Sequence, residues 1–81
     1  MPSEYKPEKH INENIPVPEH IPSNIRAVLQ DMEEHERNGQ WWLYDVDCGD
    51  LGIFAKNAIA AGVMSRKDWE QILLRYGNNM D

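Results

Sequence analysis

The chain has 81 residues, and its 14 acidic side chains against 8 Lys and Arg give a formal net charge of −6. A chain of this length forms one domain, and a domain this small buries only about 60% of the surface that its unfolded chain exposes. Its stability is therefore marginal. The negative charge argues against direct binding to nucleic acid or to an anionic membrane, and it favours basic partners.

The cysteine count indicates a reducing compartment, and the hydropathy indicates that the chain does not cross a membrane. The single cysteine, Cys48, cannot form an internal disulfide, and no charged leader followed by an apolar stretch opens the chain. The longest run of apolar and glycine residues, 58–64, is far shorter than the roughly 20 residues that span a bilayer. We therefore expect a cytoplasmic protein that does not cross a membrane.

The N-terminal part of the chain carries all five prolines, within the first 22 residues. Proline lacks a backbone donor and pushes the preceding residue toward extended geometry, so residues 1–22 are predicted to be a flexible or extended tail. We expect residues 1–10 to be mobile. The second half is expected to dock partly on an apolar surface through Ile11, Ile15, Val17 and Ile21.

Helical signals begin after Pro22. Ser23 is a favourable N-cap, and Asn38-Gly39 supplies a stop with glycine at the left-handed position. Between them, four apolar residues recur at helical intervals. They are Ile25, Val28, Leu29 and Met32. The sequence predicts a first helix over about 23–38.

The next segment carries a long apolar row that we call the first stripe. Its members recur at alternating intervals of three and four residues. They are Trp41, Tyr44, Cys48, Leu51, Ala55, Ala58 and Gly62. A single second helix over about 40–61 is therefore predicted, although Gly49 and Gly52 cost up to about 1 kcal/mol each relative to alanine. Two glycines inside a helix indicate a kink or the close approach of another backbone.

A second apolar row, the second stripe, lies on the nearly opposite side of the same helix. Its members are Trp42, Val46, Gly49, Ile53 and Ala60. It is bordered by Asp47, Asp50 and Asn57 on one side and by Asp45 and Lys56 on the other. Two arrangements remain open. The other two helices take one stripe each, or both pack on one stripe while the tail, a second copy or a foreign protein covers the other.

The third helix has the clearest start signal. Ser65 and Asp68 form a capping box, and Met64 and Trp69 form a hydrophobic staple. A helix over about 66–76 is predicted, ended by Gly77, and its expected buried residues are Trp69, Ile72, Leu73 and Tyr76. Together these signals predict an all-α, three-helix domain over 23–77 with a long central helix, followed by a C-terminal tail at 78–81.

The stretch DVDCGDLG, residues 45–52, is the best candidate for a metal loop, but it does not fit one. An EF-hand that starts at Asp45 would have Gly49 at its fifth position, Asp50 at its sixth and Lys56 at its twelfth, where calcium loops need a ligand, a glycine and a glutamate. The three histidines, His10, His20 and His35, lack zinc-ligand spacing and are interpreted as surface residues. No metal or cofactor is predicted.

Catalytic motifs are not found either. Cys48 and His35 could be imagined as nucleophile and base, but Cys48 belongs to the first stripe, where a thiol is normally inert packing. The glycines at 49 and 52 match neither a P-loop nor a dinucleotide fingerprint. We therefore predict a non-enzymatic protein without catalytic or cofactor-binding residues.

The stretch from Asn24 to Gly77, with NIRAVLQDMEEHERNGQWW and AIAAGVMSRKDWEQILLRYG, resembles short uncharacterised helical proteins encoded in phages and integrative elements of Gram-positive bacteria. The resemblance implies an accessory protein of a mobile element in bacterial cytoplasm. Small acidic proteins in that setting are sometimes inhibitors of defence systems, of the anti-CRISPR or anti-restriction type. An inhibitory role is implied only by analogy with other small acidic proteins of mobile elements.

Two functional hypotheses follow. The first is a protein-interaction module that contacts a protein partner or a second copy through Trp42, Val46 and Ile53 of the second stripe. The second is an inhibitor that imitates nucleic acid and occupies the basic groove of a nucleic-acid-binding protein. It would use an acidic cluster within residues 31–50, a stretch that contains seven carboxylates and, as its one basic side chain among Lys and Arg, Arg37. The cluster comprises Asp31, Glu33, Glu34, Glu36, Asp45, Asp47 and Asp50.

Overall fold

The computed structural model describes residues 11–77, which form three helices and contain no strand. The helices are α1 (Ser23–Arg37), α2 (Trp41–Ala60) and α3 (Arg66–Tyr76). The predicted all-α, three-helix fold is confirmed, and each predicted boundary lies within one residue of the observed one. The predicted mobile residues 1–10 and the tail at 78–81 lie outside the described residues.

The helix starts agree with the sequence signals at α3 but not at α1. The hydroxyl of Ser65 accepts a hydrogen bond of 3.0 Å from the backbone N–H of Asp68, which is one of the two hydrogen bonds of the predicted capping box. Ser23, in contrast, is the first residue of α1, and Pro22 occupies the capping position without a side-chain bond. The prediction of Ser23 as the N-cap is wrong because the helix begins one residue earlier than a serine cap would allow.

The helix ends of α1 and α2 share one geometry. Gly39 and Gly62 have φ angles of 71° and 76°, in the left-handed region. At the end of α1, the N–H of Gly39 donates to the carbonyl of Glu36, and the N–H of Gln40 donates to the carbonyl of His35. This pattern is a Schellman motif, which glycine favours because it has no Cβ. It reverses the chain, so α1 and α2 pack as a helical hairpin.

The core lies on the side of α2 that carries the first stripe. The fully buried large side chains come from all three helices. They are Ile25, Met32, Tyr44, Leu51, Ile72 and Tyr76. Trp69 is half-buried and packs against this core, whereas Leu73 is 40% exposed, so the prediction that α3 buries Leu73 is wrong. Ile72 and Tyr76 face the core, and Leu73 is turned about 100° away from Ile72.

Residues 11–22 lie against α1 and α3 without forming a helix. Side chains of the helices bind the carbonyls of this segment: Arg75 donates to Ile15 at 2.6 Å and Gln71 donates to Pro16 at 2.7 Å. Ile11 is buried in the core cluster. The second half of the predicted tail therefore belongs to the folded domain. Within residues 11–77, no helix has the length and apolar character needed to cross a membrane.

Gly49 and Gly52 lie in an uninterrupted α2. A Cβ built on either glycine would meet nothing within 4 Å, so the predicted close approach of another backbone is wrong for the described residues. These glycines carry the helix-propensity cost of glycine without a packing contact inside the single chain that requires it.

We expect Gly49→Ala and Gly52→Ala each to increase the free energy of unfolding by about 0.5–1 kcal/mol, because alanine favours the helix and has room here. Gly62→Ala is the matched control, and its left-handed φ should make it destabilising by about 1–2 kcal/mol. Urea denaturation followed by circular dichroism measures all three. A loss of stability at Gly49 or Gly52 would contradict the open space around these residues.

Candidate protein-interaction surface

The second stripe of α2 is exposed along its whole length. Trp42, Val46 and Ile53 are 61%, 59% and 59% exposed, and Gly49 and Ala60 are exposed as well. The two stripes lie on opposite sides of α2, and the core occupies only the side of the first. The arrangement in which α1 and α3 cover one stripe each is therefore wrong. Residues 11–22 do not cover the second stripe either, because they lie against α1 and α3.

The borders of the second stripe carry charge. Asp45 and Lys56 lie along one border, and Asp50 and Asn57 lie along the other, all four exposed. Asp47, which the sequence placed on a border, is instead buried between α1 and α2. The stripe thus presents an apolar row with one mixed border and one acidic border.

The acidic cluster is not gathered on one face. Asp31, Glu34, Asp45 and Asp50 are exposed, while Glu36 is half-buried. On α1, Asp31 and Glu34 lie on the side away from the buried core residues of that helix. On α2, Asp45 and Asp50 lie on opposite borders of the second stripe. The exposed carboxylates therefore point in several directions.

Two members of the acidic cluster are bound inside the domain. Nδ1 of His35 lies 2.6 Å from a carboxylate oxygen of Asp47, and the Asp47 side chain is only 13% exposed. Glu33 accepts hydrogen bonds from the hydroxyl of Tyr76 at 2.6 Å and from Arg75 at 3.2 Å. These carboxylates join helices to one another. The interpretation of His35 as a surface histidine is wrong, because it is half-buried and paired.

A chain of hydrogen bonds that sequence reasoning missed joins the three helices. The hydroxyl of Tyr44 on α2 donates to the carbonyl of Tyr76 at 2.6 Å, and the hydroxyl of Tyr76 donates to Glu33 on α1. Burial, together with the bond to Glu33, raises the pKa of Tyr76 to about 12, and burial also raises the pKa of Tyr44. Both phenols are neutral donors at physiological pH. The sequence signalled only that both tyrosines belong to apolar rows.

Cys48 has the chemistry of a packing residue. It is half-buried against the core. Burial first, and then the charges of Asp45 and Asp47, raise the pKa of its thiol to about 11, so the thiolate is scarce at neutral pH. His35, which could be imagined as the base for Cys48, is bound to Asp47. Among residues 11–77, no group of three or more His, Cys, Asp and Glu side chains is placed to hold a metal ion.

A cleft of about 500 Å³ opens between α2 and α3, beside the C-terminal end of the second stripe. Its lining combines apolar surface with two cationic side chains. The lining residues are Gly52, Lys56, Ile59, Ala60, Arg66 and Trp69. No acidic side chain lines it, although the protein as a whole is acidic. The sequence did not reveal this cleft, because Trp69 and Ala60 come together only through the packing of α3.

Comparisons of the chain with protein-family models, with curated proteins and with solved structures gave no match. The resemblance to proteins of phages and integrative elements stays a prediction.

Proposed function

We propose that the protein is a non-enzymatic interaction module that binds another polypeptide through the second stripe of α2. The observation that carries this proposal is the row of Trp42, Val46 and Ile53, each more than half exposed on one face of a 20-residue helix. From Trp42 to Ala60 the stripe is about 27 Å long at 1.5 Å per residue. A row of exposed apolar side chains of this kind on a small protein is typical of an interface.

Energetics support the same surface. Burying apolar surface contributes about 25 cal/mol per Å² of favourable free energy. The apolar side chains of the second stripe are not buried by the fold, so a partner could gain this free energy by covering them. Tryptophan is enriched among the residues that dominate binding energy. We therefore propose Trp42 as the anchor, with Val46 and Ile53 beside it. From the resemblance, we further propose that the module acts as an accessory protein of a mobile element in bacterial cytoplasm.

A second proposal is the acidic inhibitor that imitates nucleic acid. It is supported by the exposed carboxylates Asp31, Glu34, Asp45 and Asp50. Glu33 and Asp47 would contribute less, because both are engaged within the domain. The two proposals differ in salt response. Binding through the second stripe should change little with ionic strength, whereas a complex held by the carboxylates should weaken steeply as salt rises.

The test of the first proposal is site-specific photo-crosslinking in bacterial cells that encode the protein. A photoreactive residue replaces Ile53 on the second stripe or, as the matched control, Leu74 on α3, which is equally exposed at 63%. We expect protein crosslinks from position 53 and none from position 74. Trp42→Asp should abolish them while leaving helicity intact, since Trp42 is exposed in the first turn of α2, where a carboxylate is tolerated.

The contradicting outcomes are equally specific. Crosslinks of equal yield at both positions would indicate non-specific contact, and their absence at position 53 would remove the second stripe as a binding surface. A collapse of helicity in Trp42→Asp would mean that Trp42 supports the fold rather than an interface.

A further inference from the structure

We infer that the polypeptide bound to the second stripe is a second copy of the same chain, with the two α2 helices antiparallel. This inference rests on the proposed function, because it names the partner of that surface. It is supported by the charges on the stripe borders, by the sizes of the side chains along the stripe and by the position of the cleft.

The charge pattern selects the antiparallel orientation. When two antiparallel helices meet face to face, each border faces the same border of the other copy. Asp45 then approaches Lys56 of the second copy, and the symmetric contact repeats the pair. Within one chain, these two residues are about 16 Å apart along the helix and do not pair with each other. A parallel arrangement would instead bring Asp45 toward Asp50 of the other copy in two like-charge contacts, whereas the antiparallel arrangement has one such contact, between the two Asp50 side chains, beside two attractive pairs.

Side-chain sizes fit the register that these charges select. When Asp45 lies beside Lys56 of the second copy, Trp42 lies opposite Ala60 and Ile53 lies opposite Gly49. Trp42 and Ile53 thus each meet a small residue. An isologous interface of this kind uses the same patch twice. The register also accounts for an exposed glycine at position 49, where a Cβ meets nothing in the single chain.

The cleft completes the contact. Ala60, which faces Trp42 of the second copy, also lines the 500 Å³ cleft, together with Trp69 and Arg66. The indole of Trp42 can therefore enter a half-apolar recess, and Arg66 adds positive charge where Asp45 of the other copy arrives. Stable interfaces bury about 800 Å² on each partner, and the proposed contact is confined to one helix face and one cleft. We expect a reversible dimer with a dissociation constant in the micromolar range.

The test is a charge exchange measured by analytical ultracentrifugation on the purified full chain over a concentration series. Asp45→Lys and Lys56→Asp should each weaken the dimer about tenfold, because each places two like-charge contacts where attraction existed. The double variant Asp45→Lys/Lys56→Asp should return the dissociation constant to within about threefold of the original, since the pairs re-form with exchanged signs. Asp50→Asn should tighten the dimer, because both Asp50 side chains lie near the twofold axis on one border.

Controls separate this inference from the proposed function. Circular dichroism checks that each variant is folded, and Leu74→Asp, off the stripe, should leave the dimer unchanged. A chain that stays monomeric throughout the series overturns the second copy as partner, while stripe-specific crosslinks to another protein would still support the interaction module. Two folded single variants that weaken the dimer without rescue by the double variant would overturn the antiparallel register.

Discussion

Tyr76→Ala is expected to remove most of the stability of the domain. The side chain is 1% exposed and lies in the core among residues of all three helices. Truncating a buried aromatic residue to alanine costs about 3–5 kcal/mol, since the lost apolar burial adds to the cavity left behind. Small domains have total stabilities of about 5–15 kcal/mol, and a chain of this length is expected near the lower limit. The variant should be largely unfolded near physiological temperature.

Two matched variants divide this loss into its parts. Tyr76→Phe keeps the ring and removes only the hydrogen bond to Glu33, so we expect a loss of about 1 kcal/mol. Leu74→Ala, at an exposed position of the same helix, should change stability by no more than about 0.5 kcal/mol. Urea denaturation measures all three. If Tyr76→Ala were no worse than Leu74→Ala, α3 would not be docked through Tyr76.

His35→Ala and Asp47→Ala form the prediction with the next largest effect. The pair joins α1 to α2 at 2.6 Å, and either substitution leaves the other group part-buried without its partner. An unsatisfied buried polar group costs about 1–3 kcal/mol, and we expect each single variant to lose that much. Glu70→Ala, at an exposed position of α3 outside both proposed surfaces, should change stability by no more than about 0.5 kcal/mol.

The double variant tests whether the two residues act together. We expect His35→Ala/Asp47→Ala to be less destabilised than the sum of the single variants, because neither partner is then left alone. The same denaturation measurement gives the coupling energy. Additive losses would indicate that the contact contributes nothing to the stability of the hairpin, and equal losses at Glu70 and Asp47 would contradict the burial of Asp47.

Much of the helical architecture could be predicted from local signals. The N-cap at Ser65 and the stop at Gly39 act through hydrogen bonds between residues a few positions apart, which a sequence displays directly. The repeat of three and four residues through Gly49 and Gly52 correctly predicted one continuous helix. The start of α1 was less well predicted, since Ser23 and Pro22 are both acceptable at a helix N-terminus.

The candidate site could be predicted only in part. The second stripe was visible as a periodic pattern, but its partners Trp69 and Arg66 in the cleft were not, because they come from another helix. For the acidic cluster, the sequence predicted more surface carboxylates than the structure has. Glu33 and Asp47 look like the other carboxylates in the sequence, yet Tyr76 and His35 bind them within the fold.

The sequence by itself determined where helices form and that α2 has two apolar sides, because helix formation depends on periodicity and on caps within a few residues. Only the tertiary structure decided which side is buried. Both stripes satisfy the same periodicity, and the choice depends on side chains far along the chain, such as Ile72 and Tyr76, that pack beside Tyr44 and Leu51. Packing between distant residues thus left Trp42 exposed, and the proposed function depends on that exposure.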